Sequence, residues 1–403
     1  MSHATAPLSE VCSFRHGGTP SKGNASYWGG TIPWISPKDM KASVLTASQD
    51  TITEAGVSGS AASVVPEGSI LVVARSGILA HTLPVALAGR PLAFNQDIKA
   101  IQVTSEKVLG EYVYWFIRGR EHEVLTRGVK KGATVHSLQS GYLEGLDIPL
   151  VPLPEQRRIV DLLSRAENIV RMRREAEQKA KEIIPALFLD MFGDPARNEM
   201  GWTRRPLGEI VRSIDSGKSP RCDERTRGPG EWGVLKLGAV TWGRYDESEH
   251  KVLPPGIRPF PASEVRAGDL LISRKNTLEL VGASAYVWDT DGRILLPDLI
   301  FRLCIDGADI VNPIYLWALL STDAKRNQLR NMASGAAASM PNISKGRLAM
   351  LSIELPAIGA QRTFADRVRR AHELEAQQVR AVAYSNLVFQ SLLAGTFPDG
   401  LAT

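Results

Sequence analysis

The sequence predicts an α+β protein in which two globular bodies follow one another and two long helices form an antiparallel coiled coil with internal pseudo-two-fold symmetry. Three observations carry this: an internal repeat, two helical tails of equal length, and mixed strand and helix patterning in the segments before each tail. The repeat is visible by inspection. Leu8-Ser9-Glu10-Val11 returns as Leu207-Gly208-Glu209-Ile210, and the segment Val65 to Leu71 returns as Val265 to Leu271, at an offset of 199 to 200. Tyr112 to Trp115 meets Tyr315 to Trp317 near 203, and Gln156-Arg157 meets Gln361-Arg362 at 205. The drift of the offset places small insertions in loops.

In chain order, the expected units are a first body at 1–153, a long helix at 154–192, a linker at 193–203, a second body at 204–357, a second long helix at 358–394 and a tail at 395–403. Within the first body, Ile70 to Ala74 and Ile98 to Val103 read as strands and Glu111 to Arg118 as a helix. In the second, Leu270 to Ser273, Ala283 to Trp288 and Leu299 to Cys304 read as strands and Pro313 to Leu320 as a helix. Both tails run 36 positions from their glutamine to a phenylalanine, Gln156 to Phe192 and Gln361 to Phe397. The first places Ile159, Leu162, Leu163, Ala166, Ile169, Val170, Ala176, Ala180, Ile183, Ile184 and Leu187 at alternating three-four spacing; adding 205 to positions 159, 163, 166, 169, 184 and 187 gives Phe364, Val368, Ala371, Leu374, Phe389 and Leu392, and Val382 continues that stripe. This is a coiled-coil seam, and a helix of that length spans roughly 54 Å. Each stripe alone would stay wet, so the two are expected to pair. Pro185, whose counterpart is Gln390, is expected to kink the first helix.

Composition narrows the function. With 43% hydrophobic and 23% charged residues the chain is expected to be globular and soluble. It has no apolar run of membrane-spanning length, and its start, Met1 to Glu10, lacks the features of a leader. Cys12, Cys222 and Cys304 form no metal half-site or disulfide framework, which fits a reducing cytoplasm. The net charge of +5 permits a polyanionic partner. It divides as +1 over residues 8–150 and +4 over 202–353, so binding must use local patches.

Enzymatic motifs fail on inspection. Ser216-Gly217-Lys218-Ser219 resembles the end of a phosphate-binding loop, but Arg212 stands where its first glycine is required. Asn312-Pro313-Ile314-Tyr315 approaches a methyltransferase motif without its second proline and is better explained as a helix N-cap followed by proline. Asp97-Ile98-Lys99 with Glu67 loosely fits a nuclease pattern, yet Ala267 replaces Glu67 in the other repeat. The histidines form no metal-binding cluster. No catalytic residue and no metal site are assigned.

The phrases Gly18-Thr19-Pro20-Ser21, Tyr27-Trp28-Gly29-Gly30, Ile32-Pro33-Trp34-Ile35, Phe94-Asn95-Gln96-Asp97, Ile148 to Arg157 and Met191-Phe192-Gly193-Asp194 are similar to those of the specificity (S) subunit of Type I restriction-modification systems. The resemblance runs over nearly the whole chain and is weaker in the second half, where Ser219-Pro220 lacks the Tyr-Trp-Gly-Gly and Gly359-Ala360-Gln361-Arg362 lacks Pro-Glu. It implies two target-recognition domains, each reading one part of a bipartite sequence in double-stranded DNA and held apart by the helices. It further implies methyltransferase (M) subunits docked on those helices and a restriction/motor (R) subunit joining the complex. S-adenosylmethionine, ATP and Mg are then expected on the partner subunits, with none in this chain.

The residues themselves offer DNA-binding candidates beside glycine or proline turns: Arg75, Lys130, Lys131, Thr134, His136 and Ser137 in the first body, and Arg274, Lys275, Asn276, Asn342, Ser344, Lys345 and Arg347 in the second. Positions that differ between the repeats are expected to read bases, and shared positions to be scaffold. By that rule Arg75 and Arg274, taken as equivalents, suit phosphate or core-edge pairing, while Gln156, Arg157, Gln361 and Arg362 are structural hinges at the helix starts and candidate scaffold or partner contacts. Tyr27, Trp28 and Trp34 suit a buried core better than base stacking. A rival reading is a repeat adaptor that scaffolds partners through its helices without DNA readout, and a third is a stand-alone nuclease or methyltransferase.

Overall fold

The computed structural model describes residues 3–306, 309–333 and 340–398. The chain divides into two compact units, one drawn from Met1–Arg174 and Arg380–Thr403, the other from Glu175–Val379. Each combines one body with the opening turns of one long helix and the closing turns of the other. The helices are Leu153–Phe192 and Ile358–Thr396. Pro185 sits inside the first without ending it. Of the expected tail at 395–403, residues 399–403 lie outside the described residues.

In the first unit, Cys12–His16, Ile98–Val103, Ile70–Val73, Val85–Ala88 and Val44–Leu45 form a five-stranded sheet in that order. The run Ile70 to Val73 is apolar on both faces because it is covered on both. A second sheet orders Asp50–Ile52, Trp28–Ile35, Leu92–Phe94 and Val64–Val65. The helix Gly110–Gly119 buries Tyr112 through Ile117 against a core shared with Leu163 and Val170 of the first long helix, Phe389 and Leu393 of the second, and Phe397 just beyond its end. A side chain at Gly119 would meet Phe397 at 2.7 Å, so the glycine admits that ring.

The second unit repeats the plan. Ser213–Ser216, Ile300–Cys304, Leu270–Ser273 and Ser284–Tyr286 form a four-stranded sheet, and His250–Val252, Gly233–Leu235 and Ile294–Leu295 a three-stranded one. The helix Pro313–Ser321 starts with Asn312 Oδ1 accepting from the Ile314 amide at 2.9 Å, the N-cap expected from the sequence. Its core takes in Phe188 and Phe192 from the end of the first long helix and Phe364 and Val368 from the start of the second. Start meets end in both units, so the long helices run antiparallel.

Both helix starts are tied down identically. Gln156 is fully buried; its Oε1 accepts from the Leu109 amide at 2.9 Å and its Nε2 donates to the carbonyls of Lys107 and Val151, each at 2.8 Å. Gln361, also fully buried, accepts from the Asn312 amide at 2.9 Å and donates to the carbonyls of Ile310 at 3.3 Å and Pro356 at 2.8 Å. The neighbouring short helix is anchored by a second shared bond, Tyr112 Oη to the Pro149 carbonyl at 3.1 Å and Tyr315 Oη to the Glu354 carbonyl at 2.8 Å. Arg157 is exposed, and Arg362 lies 3.3 Å from Asp309 Oδ1. Among the described residues no helix is long and apolar enough to cross a membrane.

Candidate nucleic-acid interface

In the first body the candidates converge on one small sheet. Val129–Lys130, His136–Leu138 and Arg75–Ser76 pair in that order, with Lys130 opposite Ser137 and Ser137 opposite Arg75. Directly opposed residues share a face, so the three form a row across the sheet, and the two cations stand about 10 Å apart at two strand spacings. Lys130 and Arg75 are exposed, with no ion pair among the described residues. Lys131 and Thr134 are exposed in the connecting turn, where the Gly132 amide donates to His136 Nδ1 at 3.3 Å.

The floor of this sheet is the turn after Phe94. Its Asp97 carbonyl accepts from the amides of Ala74 and Arg75 at 2.8 and 3.0 Å. Buried Asn95 fixes the turn, its Oδ1 accepting from the Asp97 amide at 3.1 Å and its Nδ2 donating to Asp97 Oδ2 at 3.2 Å. Against it lies the Gly17-Gly18-Thr19 loop: the Gly18 amide donates to the Phe94 carbonyl at 3.0 Å and Thr19 Oγ1 to Gln96 Oε1 at 2.6 Å. A Cβ on Gly17 would sit 2.3 Å from the Phe94 carbonyl oxygen, which is why the phrase needs glycine there. Trp34 is buried with its indole N–H donating to the Gly18 carbonyl at 3.0 Å, and half-buried Trp28 packs edge-on at 5.2 Å. Both support the loop from beneath, as expected of core residues.

The second body builds the same corner with different side chains. Lys275 bridges Asn342, and the Ile343 amide donates to the Arg274 carbonyl at 2.9 Å just as Leu138 does to Ala74 at 2.8 Å. The equivalence of Arg75 with Arg274 is therefore corrected: Arg75 corresponds to Lys275, and Arg274 to Ala74. One residue of register reverses the face in a strand. Lys275 is exposed like Arg75, whereas half-buried Arg274 donates from Nε to Asn342 Oδ1 at 3.1 Å and from Nη1 to the Asp298 carbonyl at 3.3 Å, over the ring of Phe301. Asn276 is buried and holds loops together. Ser344 caps the turn Lys345–Ala349 by accepting from the Arg347 amide, and Arg347 Nη1 donates to the Met332 carbonyl at 3.0 Å. Lys345 lies 6.0 Å from the Phe301 ring.

Sequence inspection missed the role of Ser216 to Ser219. The Gly217 amide donates to the Pro297 carbonyl at 3.0 Å, Ser219 Oγ bonds Asp298 Oδ1, and a Cβ on Gly217 would meet the Leu296 carbonyl oxygen at 1.6 Å. This is the counterpart of the Gly17 to Pro20 loop, and the 200-residue offset was the available signal. The nuclease-like Lys99 is buried and paired with Glu144 at 3.0 Å. Cys12, Cys222 and Cys304 are free, and burial pushes the Cys12 thiol up to about 12. Among the described residues there is no group of three or more metal-binding side chains.

These two loop-and-sheet corners define a class, a repeated α+β module carried on long helices. The family model described as the Type I restriction modification DNA specificity domain matches residues 4–182. The first body and the opening turns of the first long helix are therefore similar to this specificity family. The Type I restriction enzyme EcoR124I/EcoR124II specificity subunit of Escherichia coli is 38% identical over 181 residues, covering 43% of this chain and 45% of that protein. Across the first three curated relatives the matched span is about half of their length or less. By fold, the S subunit of the Type I restriction-modification system from M. genitalium aligns over 99% of this chain and 100% of its own, with a TM-score of 0.60 at 13% identity. A chain from a structure on complex assembly and conformational transition of the type I R-M system aligns over 99% and 98%, with a TM-score of 0.58 at 19% identity.

Proposed function

We propose that the chain is the DNA sequence-recognition subunit of a Type I restriction-modification complex and performs no chemistry itself. Each body reads one part of a bipartite duplex target. The observation that carries this reading is the repeated corner: the same loop, turn and strand pairing in both bodies, holding Arg75 opposite Ser137 in one and Lys275 opposite Asn342 in the other. A shared scaffold with different polar side chains at its rim is what two readers of different half-sites require. Lys130, Lys131 and Arg75 take phosphates, and His136, Ser137 and Asn342 supply groups for base edges.

The long helices dock methyltransferase subunits, and a restriction/motor subunit completes the complex; S-adenosylmethionine, ATP and Mg reside on those partners, in the cytoplasm. Support for docking comes from apolar side chains left in solvent on the helices, including Ile169, Met172, Tyr384 and Leu387 in the first unit and Leu189, Leu374 and Val379 in the second. The domain limits adopted are 1–153 and 204–357 for the readers.

The test is a salt titration of binding to duplex DNA. Phosphate contacts release counterions, so affinity falls linearly on logarithmic axes, and replacing Lys130 and Lys131 with alanine should lower the slope by about two. Binding that ignores both salt and these lysines would refute the reading.

A further inference from the structure

Three segments of the second body meet at one buried side chain. Asn276 Nδ2 donates to Thr241 Oγ1 at 3.3 Å, its Oδ1 accepts from the Thr277 amide at 2.9 Å, and its own amide donates to the Pro341 carbonyl at 3.3 Å. Within two residues of this junction each segment carries a large apolar side chain in solvent: Trp242 at 74% exposure, Leu278 at 60% and Met340 at 40%. Single exposed apolar residues are ordinary. Three presented by loops that one buried amide fixes are a built feature, and of the eight tryptophans only Trp242 is exposed.

The surroundings identify the occupant. Lys275, next to Asn276, and Arg244, two residues after Trp242, are exposed with no ion pair among the described residues. Apolar side chains inside a cationic rim match a surface that is anionic outside and apolar within. Duplex DNA has that build, with phosphates flanking stacked bases and thymine methyl groups. Trp34 and Val234 occupy equivalent places, beside Ala93 and Leu295, but Trp34 pairs with Asp50 and Val234 with Lys251, so the segment carrying Trp242 is one residue longer than its counterpart. In this stretch the first body has the strand Val44–Leu45, whereas the second has the helix Gly238–Thr241, which leads directly into Trp242. Two of the three recur in the first body, Ile78 at the position of Leu278 and Val135 at that of Met340, each 40% exposed; the exposed tryptophan is what sets the second body apart.

We propose that Trp242, flanked by Leu278 and Met340, is the apolar contact through which the second body engages the bases of duplex DNA in its groove. The inference rests on the DNA-recognition reading and names a specificity contact within it.

The experiment uses the full chain and a labelled duplex of random sequence. Iodide quenches chiefly the exposed Trp242, so DNA should protect the quenchable fluorescence, and the protection should vanish in Trp242→Ala. That variant should bind about tenfold more weakly, within the range of one lost base contact in a duplex, with an unchanged salt slope because no charge is lost. Trp242→Phe should stay within about threefold of the parent, and Lys275→Ala should lower the slope by about one. If the parent binds DNA in a salt-dependent way but Trp242→Ala binds equally well and iodide access is undiminished, the inference is wrong while DNA recognition stands. If the parent itself shows no salt-dependent binding, the underlying reading fails. Protection by a protein partner in the absence of DNA would also overturn the assignment.

Discussion

Replacing Gln156 or Gln361 with alanine tests the shared anchoring of the long helices most directly. Each amide makes three hydrogen bonds and is fully buried, so its removal leaves one backbone N–H and two carbonyls without their partner. At about 1 kcal/mol net per bond the loss is about 3 kcal/mol. For a unit of this size it corresponds to a fall in Tm of about 6 to 12 °C. The variants should also speed hydrogen exchange at the Leu109 amide in the first case and the Asn312 amide in the second, each without effect on the other. A glutamate arm adds a pH signature. Its carboxylate would face two carbonyl oxygens, and burial would raise its pKa in the fold. The folded state then holds a proton that the unfolded state releases, so stability falls as pH climbs from about 4.3 through the folded value. A Tm change under about 2 °C with unaltered exchange at both amides would refute the anchoring argument.

Gly217→Ala should distort the loop against Leu296 and weaken DNA binding, and Gly17→Ala should do the same against Phe94, both visible as reduced affinity with a lowered Tm. Lys325→Met removes the cation 2.7 Å from Glu354 Oε2 and leaves a carboxylate whose side chain is 3% exposed with Arg204 as its remaining ion-pair partner, a loss of about 3 kcal/mol in denaturant unfolding. His372 stacks on Trp288 at 4.2 Å, and burial holds its pKa below the usual value against the opposing pull of Glu375 and Glu373. Below pH 6.5 the unfolded chain takes up the proton first, so melting between pH 7.5 and 5 should show a loss of stability that His372→Phe reduces.

Much of this protein was legible in the chain because repetition and period are local properties. The offset of 199 to 205 revealed two bodies, and three-four spacing with equal tails revealed the long helices. The strands Ile98–Val103 and Leu270–Ser273 were read to the residue, since buried apolar runs leave little choice of conformation. The candidate site was only partly legible. Arg75, Lys130 and Ser137 could be named as polar residues near turns, and the Lys130–Ser137 pair is a local hairpin, but Arg75 joins their row only by pairing with Ser137, more than 50 residues away. The off-by-one match of Arg75 with Arg274 arose because an arginine-to-arginine match is persuasive in sequence, while hydrogen-bond register alone fixes which face a strand residue occupies. Asn276 shows the same limit: as a polar residue beside a lysine it reads as a surface donor, and only the convergence of three loops makes it buried. Local pattern determined which elements form; which side chains share a face was decided by tertiary contacts, because pairing partners distant in sequence leave no periodic trace within either segment.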